Sequence, residues 1–248
     1  MVDKHRIIET TSASLHIIAM ILMLCDHLWG TIVPGNDWMT CLGRISFPMF
    51  AFMIVEGYFH TSNLKNYVKR LLIFALISEI PFNLAMGSSV FYPIHQNVLW
   101  SFLISIGLIH WNEKAKATGK KWKQVAFGCV TIILGYILGL LTMVDFYHAG
   151  ILMVLVFYFF RQKKWWSYIG QVVCLWYINA ELLGGYGYEI QLFGETYFLQ
   201  RQTFAMLALI PIWLYRGRQG YHSKLFKYIC YGFYPVHLLV LGLIKMLF

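Results

Sequence analysis

Five ionisable side chains interrupt long apolar stretches of this chain: Asp26 and His27 in IIAMILMLCDHLWG, Glu56 in MFAFMIVEGYF, Glu79 in LLIFALISEIPF and His237 in YPVHLLVLGL. A titratable group in a lipid core costs several kcal/mol unless it is paired or faces water, so each is read as a functional residue by default. The chemistry such a set can support is acyl transfer from a thioester to an amine or hydroxyl, which needs a general base and a stabilised oxyanion. Histidine, with an ordinary pKa of about 6.5, is the natural base, and His27 takes that role. Neighbouring residues on a helix point about 100° apart, so Asp26 is poorly placed to orient His27. Glu79 or His237, from other helices, is geometrically freer to do so. The candidate catalytic set is therefore His27, Asp26, Glu79 and His237. A transporter or proton relay built on the same Asp/Glu/His layer is the alternative, and for any single residue mere helix-to-helix bonding competes. Glu56 and His60, near the end of their apolar run, are expected to pair with Arg70.

Two further groups flank this layer. His16 and His27 are eleven residues apart, which places them about 20° apart on one helical face, three turns separated. His16, Arg70 and Arg161 are the expected donor-binding residues on one side. Arg44, Asn97, Arg201 and Gln202 are the expected substrate-binding residues on the other, where Arg44 and Arg201 are nearly the only cations. They are available to an acceptor, or to neutralise Glu195 or Asp145.

The elements that must position these groups are membrane spans. The 248 residues are 59% hydrophobic, 18% aromatic and 12% charged, with mean hydropathy +0.60, too little polar surface for a soluble domain. Apolar stretches bounded by basic clusters predict an all-α polytopic membrane protein of about nine spans, at 15–33, 45–60, 71–87, 97–111, 124–144, 149–160, 165–180, 202–215 and 228–247. Assigning the loops alternately to two sides puts seventeen of the twenty Lys and Arg on one side, from Lys4 and Arg6 to Lys224 and Lys227. Arg44, Arg201 and Lys245 fall on the other. That asymmetry predicts a cytoplasmic amino terminus and a carboxyl terminus outside. Asp26, His27, Glu79 and His237 are expected at similar depth, near the middle of the bilayer. Trp29, Trp38, Trp111 and Trp213 fall near span ends, as interfacial anchors do. The polar start lacks a small-residue cleavage site, so the first span is expected to be retained. The five cysteines show neither a disulfide framework nor metal spacing, and the +9 charge is explained by loops rather than by nucleic acid. One domain, 1–248, with no convincing inverted repeat, is expected.

The stretches IIAMILMLCDHLWG, GRISFPMFAFMIVEGYFHTSNLKNYVKRLLIFALISEIPFNLAM, QNVLWSF and FYPVHLLVLGLI resemble the TraX family of integral membrane proteins, associated with acetylation of the amino terminus of conjugative pilin. Weaker similarity runs through HAGILMVLVFYFFR and IPIWLYRGRQG, so the resemblance reaches almost the whole length. It carries Lys where this chain has His16, and Asp where it has Asn83. More distantly, His16 and His27 resemble the basic residue and histidine of the first helix in acyltransferase family 3 enzymes. The resemblance implies a bacterial cytoplasmic-membrane acyltransferase with acetyl-CoA or another acyl-CoA as co-substrate and no metal. Its acceptor would be a peptide amino terminus, a glycan or a small amine.

Overall fold

The computed structural model describes residues 9–117 and 119–247; Lys4 and Arg6 lie outside them. Helix α1 is Ser12–Thr31. It starts ahead of the apolar run because Thr11 and Ser14 form a reciprocal capping pair, Ser14 N–H donating to Thr11 Oγ1 at 3.2 Å and Thr11 N–H to Ser14 Oγ at 2.7 Å. The early start moves His27 to about 22 Å along the helix, in its outer third rather than at its middle. After a short turn come α2 (Asp37–Gly43) and α3 (Ser46–His60), which the helical backbone of Arg44 and Ile45 joins almost end to end. Then follow α4 (Leu64–Gly87), α5 (Val98–Lys116), α6 (Lys121–Leu141), α7 (Tyr147–Phe159) and α8 (Trp165–Tyr177), the last continuing as a π-helical turn, Ile178–Leu183.

An all-α fold was expected, and here the structure differs. Strands β1 (Gly187–Leu192) and β2 (Glu195–Gln200) pair antiparallel in register Gly187↔Gln200 to Leu192↔Glu195. Phe193 and Gly194, both at positive φ, make the two-residue turn that such hairpins favour. The span expected at 202–215 differs as well. It is a 3₁₀ helix, Arg201–Ala208, followed by the short α9 (Leu209–Trp213). Pro211, which cannot donate to the Leu207 carbonyl, sits in the first turn of α9, where a missing N–H is tolerated. The chain ends in α10 (Lys224–Leu247).

Among the described residues five stretches are long and apolar enough to cross a membrane: Ser12–Thr31, Asp37–His60, Leu64–Gly87, Lys121–Leu141 and Lys224–Leu247. Helix α7 is the hub. Buried residues from Ala149 to Tyr158 cover its whole circumference, as expected of a helix apolar on every side. Helix α6 instead turns Val125, Ile133 and Leu141 outward and buries Gly128, Gly135 and Gly139 against its neighbours. Helices α4 and α10 approach closely at Gly242, where a Cβ would lie 3.0 Å from the Ala85 nitrogen.

One end of the bundle gathers the start of α1, the end of α3 and the segment after α9. Thr10 Oγ1 donates to the Pro211 carbonyl at 2.7 Å, and Ser12 N–H to Arg218 O at 2.9 Å. The opposite end ties α1 to α2 and to the segment after the hairpin.

Candidate functional site

The two histidines from the first and last helices meet. His27 Nδ1 and His237 Nε2 are 2.6 Å apart, with ring planes within 7° of parallel. His237 Nδ1 lies 2.6 Å from the Phe233 carbonyl one turn back. A carbonyl only accepts, so Nδ1 of His237 carries the proton and its Nε2 is an acceptor. His27 Nδ1–H must then donate to it. In neutral His27 this leaves Nε2 unprotonated, and among the described residues that nitrogen has no hydrogen-bond partner. A backbone carbonyl thus fixes the tautomer of both rings and presents one free imidazole lone pair, the state a general base requires.

This pair stands in line with a cavity of about 570 Å³. On α1 the cavity is lined by His16, Met20 and Met23, and the next residue of that face is His27. On α10 it is lined by Lys227, Tyr231 and Tyr234, and the next turn brings His237. At its other end the cavity reaches Arg70, whose guanidinium lies 6.0 Å from the ring centres of both Tyr67 and Tyr231. Arg70 Nε is buried without a partner, and no carboxylate pairs with Arg70 among the described residues. The pairing expected with Glu56 and His60 is not made. Glu56 Oε1 instead accepts from Arg161 Nε at 2.7 Å, and Glu56 Oε2 faces His60 at 3.6 Å. Arg161 lines a second, smaller cavity, which shares Glu56, His60 and Tyr215 with the first.

Asp26 and Glu79 do not touch the histidines. Asp26 Oδ1 accepts from Thr40 Oγ1 at 2.7 Å and faces Arg44 at 3.3 Å, while Arg44 also donates to Thr40 at 2.9 Å. Asp26 and His27, adjacent in sequence, leave α1 in different directions, one toward α2 and one toward α10. Gly43 leaves the room for this: a Cβ there would sit 2.2 Å from the Asp26 Cβ. Glu79 Oε1 collects Trp100 Nε1–H at 2.6 Å, the Asn97 backbone N–H at 3.2 Å and the Asn97 amide. Asn97 also caps α5 through Leu99 N–H at 3.0 Å. Arg201 binds Asp37 Oδ2 at 2.5 Å, between Trp29 and Tyr188, and Gln202 donates to Asn179 Oδ1 at 2.9 Å. Arg44 and Arg201 therefore neutralise Asp26 and Asp37, not Glu195 or Asp145. Asp145 faces His95 Nε2 at 3.3 Å, and that contact, opposed by burial and helped by the Asp145 and Glu79 charges, holds the His95 pKa above its usual value. Among the described residues no three His, Cys, Asp or Glu gather as a metal set.

Tyr234 was missed from sequence. It lies three residues before His237, on the same face of α10, and its ring stands 6.3 Å from His27 and 5.9 Å from His237. The signal was present in YPVH, but a tyrosine in a span reads as ordinary packing.

Long apolar helices, five of them among the described residues able to cross a membrane, define a multi-pass helical membrane protein. The chain belongs to the TraX family, since the family model described as TraX protein matches residues 11–245. It is similar to the probable fimbrial assembly protein FimC, serogroup H1, of Dichelobacter nodosus, with 36% identity over 78 residues, covering 30% of this chain and 32% of that protein. It is also similar to Protein TraX of Escherichia coli, with 26% identity over 143 residues, 57% of this chain and 52% of that one. The chain thus spans between about a third and about half the length of the curated relatives it matches. No solved structure matches it.

Proposed function

We propose that this protein is a bacterial inner-membrane acyltransferase that moves an acetyl or other acyl group from cytoplasmic acyl-CoA to an amine or hydroxyl. The observation that carries this is the His27 lone pair, oriented by His237 about one helical turn beyond the lining of a cavity that reaches Arg70. In this reading Arg70 and His16 receive the donor, whose phosphates are anionic, and Arg161 supports that entrance through Glu56. His27 takes the proton of the attacking amine or hydroxyl and returns it to the departing thiolate. His237 holds the ring and shares the charge of the protonated imidazole. Asp26 and Glu79 act by position: the first locks α1 to α2, the second joins α4 to the start of α5. A proton relay through all four groups would need contacts from the histidines to these carboxylates, which bind elsewhere.

The similarity to a probable fimbrial assembly protein supports a pilus subunit as one acceptor; a glycan or small amine is served by the same chemistry. The reading includes nine crossings, amino terminus inside and carboxyl terminus outside.

Membrane vesicles carrying the protein, supplied with radiolabelled acetyl-CoA, test this. His27→Ala removes the base without leaving a buried charge, so the protein is expected in the membrane at normal level while transfer falls by about 10²-fold or more. A folded His27→Ala protein with near-normal turnover overturns the assignment.

A further inference from the structure

An acyl transfer needs a second group besides the base, one that donates to the carbonyl oxygen as it becomes negative. The deep end of the cavity, around Met23, Val98, Phe102 and Tyr234, is apolar apart from one side chain. That side chain is the Tyr234 phenol, between the cavity and the histidine pair. Its ring centre lies 6.3 Å from that of His27 and 5.9 Å from that of His237, and Val98, at the first turn of α5, lines the cavity with it. A phenol carries one O–H donor, which a carbonyl oxygen in the cavity can accept.

We propose that Tyr234 is a catalytic residue, the oxyanion donor of the transfer. This rests on the acyltransferase reading above. The donor lies along α10 with its phosphates toward Lys227 and Arg70 and its thioester against Tyr234. Ten residues of α10 from Lys227 to His237 rise about 15 Å, a distance an extended pantetheine arm spans. The acceptor's nitrogen or oxygen attacks the thioester carbonyl carbon, forming the new C–N or C–O bond, and its proton passes to His27 Nε2. The carbonyl oxygen, now carrying the electron pair, is held by the Tyr234 O–H. Collapse restores the carbonyl and breaks the C–S bond. The thiolate takes the proton from His27 and leaves as free CoA.

Tyr234→Phe keeps the ring and the cavity wall and removes only the hydroxyl. With radiolabelled acetyl-CoA and membrane vesicles, kcat is expected to fall by about 10²-fold while the KM for acetyl-CoA stays within about twofold. Direct binding of CoA to the purified variant should match the wild type. Wild-type transfer with an unchanged kcat in Tyr234→Phe overturns Tyr234 alone and leaves His27 standing. Equal loss of CoA binding and of transfer makes Tyr234 part of the wall and overturns its catalytic role. Wild-type vesicles that neither bind CoA nor transfer acetyl overturn the acyltransferase reading and this inference with it.

Discussion

At the scale of single residues, the site depends on how each polar group inside the bundle is answered. Asp26, Glu79, Asp37 and Glu56 each have a partner within reach; Arg70 Nε is one of several buried polar atoms without one among the described residues, and it and His27 Nε2 are the two that fall in the proposed donor and base positions. Outside the spans, His95 gives a pH test. Its contact with Asp145 raises its pKa above the unfolded value of about 6.5, so the stabilisation is full below that value and is lost as pH rises through the folded pKa. Both side chains are partly exposed, at 30% and 26%, which keeps the contribution to about 1 kcal/mol at most. Thermal melts in detergent between about pH 5.5 and about pH 8.5 should show the wild type losing stability with rising pH relative to His95→Gln. Parallel curves for the two proteins would refute the coupling. Residue types were legible from sequence because charge in an apolar run is conspicuous; partners were not. Asp26 against Thr40 and Arg44, or Glu79 against Trp100, depends on helix rotation, which apolar runs leave undetermined.

At the scale of elements, Gly43 shows how backbone approach sets the site. Helices α1 and α2 touch where Asp26 meets a residue with no side chain, and an added Cβ would overlap the Asp26 Cβ. Gly43→Ala is expected to destabilise the protein by about 1–3 kcal/mol and to reduce transfer, because α1 must shift and carry His27 away from His237. Gly30→Ala is the control. It lies on α1, one turn beyond Asp26, with nothing within 4 Å of the added atom, and is expected to be neutral or slightly stabilising. Melting temperatures in detergent that fall equally for both would show a general intolerance of α1. Elements were legible where hydrophobic length decides them: α1, α3, α4, α6 and α10 all appear in the residue pattern. The hairpin was not, since its strands expose Ile190, Leu192, Tyr197 and Phe198 instead of alternating toward a core. Nor was the 3₁₀ segment, because 202–215 has the composition of a span.

For the molecule as a whole the question is how many segments cross. The five long apolar helices and the nine expected spans are both odd in number, so the side of the carboxyl terminus does not separate them. The loops do. With five crossings, the stretch from α4 to α6 lies outside, taking Lys114, Lys116 and Lys120 with it, and the hairpin with Glu195 lies inside. With nine, α5, α7, α8 and the 3₁₀–α9 segment also cross, and both loops exchange sides. The second arrangement agrees with the cytoplasmic preference of Lys and Arg. The shortness of α7, about 20 Å for its 13 residues against a lipid core of about 30 Å, is no obstacle. Protein encloses it on all sides, so its length need not match the lipid. Single cysteines placed at the exposed positions Asn36, Lys120, Glu195 and Lys224, in a background with the five native cysteines replaced, test this with a reagent that cannot cross the membrane. In intact cells Asn36 and Glu195 are expected to react, while Lys120 and Lys224 react only after the membrane is opened. Labelling of Lys120 from outside, with Glu195 protected, would establish five crossings. The cavity proposed for the acyl donor would still reach the side of Arg70, where α3 ends and α4 begins, since both counts leave that end inside.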